Sequence, residues 1–429
     1  MRLLTSLKER LLSSKVGRNT VWMFIAIGGR TLFQALYVIL LAKMLGPQDF
    51  GSFMAIIALF TMIIPFIDIG ESNVLIMKVA RKPEQFSVYF GSTLFSLLTG
   101  SLILGSLTVL ISSYLYHTTL LIIILLTLGE LIIGKFIEII GKCFQAFELL
   151  SFTAFINVLV SFLKVLSILV ILIFNGQVTL EIFSWYYLST NLIVAVTGYF
   201  LVLKKLGRPQ LNLVHLKDDI KDGMHFAVGT TSKTIYSELD KVMLNGFVSA
   251  EITGIYSAAS KIINLTFTPI QALLTATYAR FFRYGSKDIA NTYHFGKRIT
   301  RITALYGLSI AILIWICAPL VPLVLGQGYA STVEVLYYLS LIPFLQSIYY
   351  PLSDVLTGAG YQSYRSYIQV AAVVLNVGLN VILIPLLSWK GAALSAIISQ
   401  VFICASIAIF LFLLFKRSKA KRLSNVEIN

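Results

Sequence analysis

Apolar stretches of about 18 residues or more recur along the whole chain, and that repetition constrains its fold more than any motif does. A helix needs roughly 20 residues to cross a hydrocarbon core about 30 Å thick. The runs place spans at residues 20–42, 50–70, 87–113, 118–140, 151–174 and 182–203, and in the second half at 226–246, 253–279, 302–325, 332–356, 367–387 and 391–415. The expected fold class is therefore an all-α polytopic membrane protein, twelve transmembrane helices in two six-helix lobes. Composition agrees: 57% of residues are hydrophobic and 12% charged, against roughly 25% charged in soluble domains. The organisation that follows is an N-terminal lobe over 1–203, a cytoplasmic linker over 204–225, and a C-terminal lobe with a tail over 226–429.

Orientation follows from the cations, because Lys and Arg in short loops stay on the cytoplasmic side. The leader, the even-numbered connections and the tail hold 26 of the 34 lysines and arginines, whereas the odd-numbered connections hold only Lys43 and Lys390. Both termini are thus expected in the cytoplasm. The basic leader (Arg2, Lys8, Arg10, Lys15, Arg18) precedes a span that has Gly28-Gly29-Arg30 inside it and no small-residue cleavage site, which reads as a retained helix. The net charge of +15 reports topology beside anionic headgroups, not nucleic-acid binding.

Several chemistries find no support. Cys143, Cys317 and Cys404 have no paired spacing, and His117, His215, His225 and His294 make no metal-ligand pattern. There is no glycine-rich phosphate loop and no nucleophile elbow. No cofactor, metal or enzymatic activity is expected. The odd-numbered connections, such as 43–49, 175–181 and 388–390, are too short for chemistry on the outer face. The longer ones, 204–225 and 280–301, are basic and amphipathic enough to lie on the membrane surface, and the first reads chiefly as a linker between lobes.

Function must then be sought among polar residues inside the spans, where a charge costs several kcal/mol unless it meets a partner or water. Arg30 lies near the middle of the first span, with Gln34 and Tyr37 at i+4 and i+7 on its face. Lys164 is central in the fifth. In the seventh, Lys233, Ser237 and Asp240 share a face, with Glu238 and Lys241 beside it. The eighth carries Ser257, Lys261, Asn264, Thr268, Gln271 and Thr275 at spacings of 4, 3, 4, 3 and 4, one continuous polar stripe. Gln369, Asn376 and Asn380 form a shorter stripe in the eleventh. Amides alone read as interhelical glue, and the deep cations Arg30, Lys164, Lys233 and Lys261 as ligand contacts. A faint tandem correspondence at an offset of 203 residues lays Arg30 on Lys233, Gln34 on Ser237, Tyr37 on Asp240, and the Gly51-Ser52-Phe53 turn on Gly254-Ile255-Tyr256. Six spans per half make such copies parallel, as in transporters whose site lies between two lobes.

The stretch from Leu41 to Gly51, LAKMLGPQDFG, resembles the LARxLGPxxFG connection of bacterial polysaccharide (O-antigen) flippases. Asp240, Phe247, Gly254, Tyr256, Ala259 and Lys261 are similar to that family's D...F...GxYxxAxK/R pattern. The resemblance covers essentially the whole chain and implies a member of the multidrug/oligosaccharidyl-lipid/polysaccharide exporter superfamily. It implies a bacterial inner-membrane protein that carries undecaprenyl-diphosphate-linked oligosaccharide to the outer face. Its partners would be that substrate, membrane lipid and polysaccharide assembly proteins. The expected mechanism is alternating access around a central cationic cavity lined mainly by spans 1, 2, 7 and 8. Arg30, Lys233 and Lys261 would bind diphosphate or acidic sugar, with Gln34, Asn264 and Gln271 as polar contacts and Lys164 as a further cation of the lobe wall. Without a nucleotide site, energy is left to an ion gradient or the membrane potential, and Glu130, Glu238, Asp240 and Asp354 are the candidate ion-coupling carboxylates, each equally a candidate salt-bridge partner. A drug or metabolite antiporter of the same superfamily is the alternative. A polysaccharide polymerase fits less well, because the acidic pair Asp218-Asp219 sits among Lys217, Lys221 and Asp222 without a surrounding domain.

Overall fold

A computed structural model describes residues 15–116, 118–174, 178–212, 216–285 and 289–426, and every regular element among them is helical. His117 and His215 lie outside the described residues, as do the side chains of His225 and Lys233. Helix α1 (Lys15–Ile67) is one run of 53 residues that takes in the first two expected spans. The backbone leaves helical geometry inside it at Gly46, at φ 72° and ψ 171°, directly before Pro47. A side chain there would be strained, and Pro47 has no N–H to carry a ladder bond across the break. The expected external connection at 43–49 is thus a kink, and Gly51, Ser52 and Phe53 are helical, not a turn.

Helix α2 (Glu71–Arg81) is a short connector. The third span is α3 (Phe86–Gly100), a π-helical turn at Ser101–Gly105 and α4 (Ser106–Leu115). The fourth is α5 (Leu120–Leu126), a π-helical segment at Thr127–Gly134 and α6 (Lys135–Ala146). Then follow α7 (Leu150–Phe174), α8 (Leu180–Lys205), α9 (Leu216–Phe247), α10 (Ala250–Gly285) and α11 (Ile289–Cys317). The last elements are α12 (Val321–Leu325), α13 (Thr332–Leu339), α14 (Leu341–Gly358), α15 (Gln362–Leu387) and α16 (Trp389–Val426). Two connections differ from expectation. Residues 216–225 already belong to α9, and most of 280–301 is taken up by the end of α10 and the start of α11, because a continued helix keeps its backbone amides paired where an open loop would not.

Eight helical stretches among the described residues are long and apolar enough to cross a membrane, the first of them, Gly28–Ile67, holding two expected spans. The helices of the seventh, eighth and tenth expected spans form without qualifying. Lys233, Glu238, Asp240 and Lys241 load α9 with charge, the polar stripe runs along α10, and the tenth is broken between Leu339 and Leu341.

The chain divides into two compact units, Met1–Val242 and Met243–Asn429, and the division falls within α9. In the first, Phe53 of α1 packs edge-on against Phe183 of α8 at 5.2 Å, and Phe33 meets Phe162 of α7 at 5.5 Å. In the second, Leu244, Tyr256, Ala259, Leu336, Trp389 and Ala393 belong to one buried cluster. There the Thr303 hydroxyl of α11 donates to the Ser347 carbonyl of α14 at 2.6 Å, a polar contact between closely packed helices. Leu102, Phe174, Ile316 and Leu386 are each at least 69% exposed, which in water would be an aggregation surface and here matches hydrocarbon.

Candidate functional site

A cavity of about 550 Å³ lies within the first unit, walled by α1, the π-helical segment Thr127–Gly134, α6 and α7. That volume is in the range of small-molecule sites, about 300–1,000 Å³. Helix α1 supplies Arg30, Gln34 and Tyr37, which the 3.6-residue period sets on one face. The π-helical segment supplies Glu130, and α6 supplies Glu138, Lys142 and Gln145. Helix α7 adds Thr153, Asn157, Ser161 and Lys164. A π turn widens the helix by one residue and is a recurrent device at functional positions.

Three cations and two carboxylates line this space, and they are not equivalent. The Lys164 ammonium sits 3.6 Å from Glu130 Oε2 and donates to the Tyr187 hydroxyl at 3.0 Å, while that hydroxyl donates to the same Glu130 oxygen. Lys164 Nζ also lies 4.5 Å from the centre of the Tyr187 ring, close enough for a cation–π contribution. Lys142 pairs with Glu138 at 2.6 Å and donates to Ser72 Oγ at 2.9 Å. Arg30 is different: it is exposed to the cavity and, among the described residues, has no carboxylate within pairing distance. The Tyr37 hydroxyl, also on this wall, is buried without a hydrogen-bond partner.

Behind the wall lies a sealed network that sequence reasoning missed. Lys135 is 3% exposed and pairs with Asp68, fully buried, and with Glu138, each at 3.2 Å. The Asp68 carboxylate also accepts from the Gly70 and Ser72 amides at 3.1 and 3.0 Å. The spacing of Lys135, Glu138 and Lys142 at i, i+3 and i+7 was the available signal, since one helix face carrying that much charge needs partners.

Of the residues singled out from sequence, the structure thus brings Arg30, Gln34, Lys164 and Glu130 to one cavity. Glu238, on α9, is paired with Lys241 at 2.5 Å. Asp240 accepts from the Lys241 amide at 2.8 Å. In the second unit, Lys261, Asn264 and Gln271 follow one another along α10, with Asn264 and Gln271 exposed and Lys261 half-buried. Asp354, on α14, pairs with Arg365 at 3.2 Å, and Arg365 donates further to Thr357 at 2.8 Å. Each of Glu130, Glu238 and Asp354 therefore has a cation beside it.

The chain matches the family described as "Polysaccharide biosynthesis protein" over residues 16–284, and the family described as "MatE" over residues 227–382. It is 26% identical over 410 residues to the "Putative O-antigen transporter" of Escherichia coli (strain K12), covering 92% of this chain and 96% of that one. Among solved structures it resembles the inward-facing conformation of a multidrug resistance MATE family transporter of the MOP superfamily, with a TM-score of 0.76 at 15% identity over 91% of this chain and 96% of that one. It also resembles a MOP superfamily transporter from Pyrococcus furiosus whose binding pocket is described as reversed in polarity, with a TM-score of 0.60 at 17% identity over 92% and 95% of the two chains. These likenesses show the fold: twelve transmembrane helices in two lobes.

Proposed function

The chain belongs to the polysaccharide biosynthesis protein family, a group of multi-pass membrane transporters, and from that premise we propose that it flips undecaprenyl-diphosphate-linked oligosaccharide from the inner to the outer face of the bacterial inner membrane. One observation carries the reading: within membrane-spanning helices, Arg30 faces a polar cavity without a protein counter-ion among the described residues. A cation at that depth is stable only against water or an anion, and a diphosphate esterified at both ends is a dianion that a guanidinium can grip through two N–H donors. Gln34, the Tyr37 hydroxyl, Asn157 and Ser161 offer hydrogen bonds to diphosphate or to the first sugar. The polyprenyl tail stays in lipid, so the protein has to shelter only the head of the substrate.

Transport proceeds by alternating access, with no bond of the substrate broken and both termini in the cytoplasm. Lys261, Asn264 and Gln271 make the second unit's own polar substrate surface, and Lys233 adds a cation on α9. The energy comes from an ion gradient or the membrane potential, and Glu130, Glu238, Asp240 and Asp354 are the carboxylates to test. Proteoliposomes loaded with lipid-linked oligosaccharide decide the matter. Wild-type protein should expose the sugar on the opposite leaflet and Arg30→Ala should do so much more slowly; export of a small organic cation by wild type, with lipid-linked sugar ignored, overturns the reading. That outcome is the drug antiporter, which Glu130 on the cavity wall would serve as a cation contact.

A further inference from the structure

We propose that the cavity of the first unit selects substrates whose sugar next to the diphosphate is neutral, with Glu130 and Glu138 turning away an acidic one. The inference rests on the flippase reading above and adds to it a substrate class and the residues that set it.

The charges around the cavity nearly cancel. Lys164 is matched by Glu130, and Lys142 and the sealed Lys135 are matched by Glu138 and Asp68, so three ammonium groups meet three carboxylates. Of the charged residues on the cavity wall, Arg30 is the one left over, with no carboxylate partner among the described residues. A single unpaired guanidinium thus faces the two negative charges of a diphosphate esterified at both ends. The bound head already carries one negative charge in excess.

The ion pairs do not offset that excess, because each presents its acidic member more than its basic one. Glu130 is 25% exposed against 18% for Lys164, and Glu138 is 42% exposed against 17% for Lys142. The Lys164 ammonium is further covered by the rings of Tyr187 and Tyr37, whose centres lie 4.5 and 6.0 Å away. Lys142 also donates to Ser72 Oγ at 2.9 Å. Beyond Arg30, a ligand therefore meets carboxylate more than ammonium. A carboxylate on the first sugar would be repelled by these side chains and by its own diphosphate, which at the effective dielectric of a protein disfavours binding by about tenfold or more.

The rest of the wall suits an uncharged sugar. The side-chain amides of Gln34, Gln145 and Asn157 and the Tyr37 hydroxyl line the cavity with no hydrogen-bond partner among the described residues. An amide offers an acceptor oxygen and two N–H donors, which complement sugar hydroxyls that both donate and accept. At about 550 Å³ the cavity has the size of a small-molecule site. It therefore reads the sugar beside the diphosphate and leaves charge farther along the oligosaccharide unselected.

The test uses a pair of undecaprenyl-diphosphate-linked disaccharides that differ only in the first sugar, glucose in one and glucuronic acid in the other. Initial rates of transfer across the bilayer are measured in proteoliposomes of the full chain, with no membrane potential imposed. Wild-type protein should move the glucose compound about tenfold or more faster. Glu130→Gln removes a carboxylate and leaves Lys164 unpaired, so the ratio should narrow to about a few-fold. If that variant does not reach the membrane, Asn157→Lys gives the same test, because it adds a cation to the wall without breaking an ion pair. Equal wild-type rates, a preference for the glucuronic acid compound, or a ratio that the folded variants leave unchanged overturns the inference while the flippase reading stands. If neither compound moves, the flippase reading has failed and this inference falls with it.

Discussion

Lys164 and Lys135 are both lysines in membrane helices, both within reach of a glutamate, and the structure uses them in opposite ways. Lys164 is 18% exposed on a cavity wall, with Glu130 at 3.6 Å and a tyrosine hydroxyl between them. Lys135 is 3% exposed, and its partner Asp68 is sealed and held by two backbone amides. The difference teaches where charge serves stability and where it serves a ligand. A sealed pair cannot lose one member without leaving the other uncompensated, whereas a cavity-facing group can be solvated when its partner goes.

The largest expected effect comes from breaking the sealed pair. Lys135→Ala strands Asp68 in a dry site and should cost about 3–5 kcal/mol, enough to remove most of the protein from the membrane. Immunoblotting of membrane fractions and thermal unfolding in detergent measure it. Normal abundance and an unchanged midpoint would place Lys135 with Lys164 as a solvated cation and erase the contrast. The double variant Lys135→Met with Asp68→Asn should recover much of the loss, because no lone charge is then left buried.

Arg30→Ala should do the reverse, leaving abundance normal while transport falls. A hydrogen bond to a charged group is worth about 1.5–3 kcal/mol, so about a tenfold loss or more is expected in the initial rate of lipid-linked oligosaccharide transfer. Disappearance of this variant from the membrane would mean that Arg30 is structural. Tyr187→Phe comes next in size. It removes the hydroxyl shared by Glu130 and Lys164 at a cost of about 1 kcal/mol; transport should drop a few-fold at normal abundance, and a collapse in abundance would assign the triad to folding.

The sequence made part of this legible. Helix positions follow from apolar run length alone, and helical spacing by itself sets Arg30, Gln34 and Tyr37 on one face. What spacing cannot supply is which faces meet. Glu130 and Lys164 lie on different helices, and Tyr187, the group that joins them, carries no signal distinguishing it from the other 20 tyrosines of the chain. Lys135 reads locally as a cation near the end of a span, free to reach the interface. Its burial depends on Asp68, 67 residues earlier, and on the left-handed turn at Gly70 that aims the chain back. The kink at Gly46 escaped for a different reason, since Gly-Pro is a turn signal that a helix can also absorb as a bend.

The smallest effect separates charge from shape at the cavity. If Arg30 grips phosphate oxygens through two donors, Arg30→Lys keeps the positive charge but replaces a planar fork with a compact ammonium. The protein should stay in the membrane at wild-type levels, since Arg30 has no protein partner to lose among the described residues. Transport should fall only partway, by less than in Arg30→Ala. Lys261→Arg is the matched control: a half-buried point charge on the polar stripe of α10 tolerates a longer, forked cation, so this variant should keep nearly full activity. Initial rates in proteoliposomes, normalised to protein, compare the two. Full activity of Arg30→Lys together with loss in Lys261→Arg would reverse the assignment, making Lys261 the shape-sensitive contact and Arg30 the diffuse one.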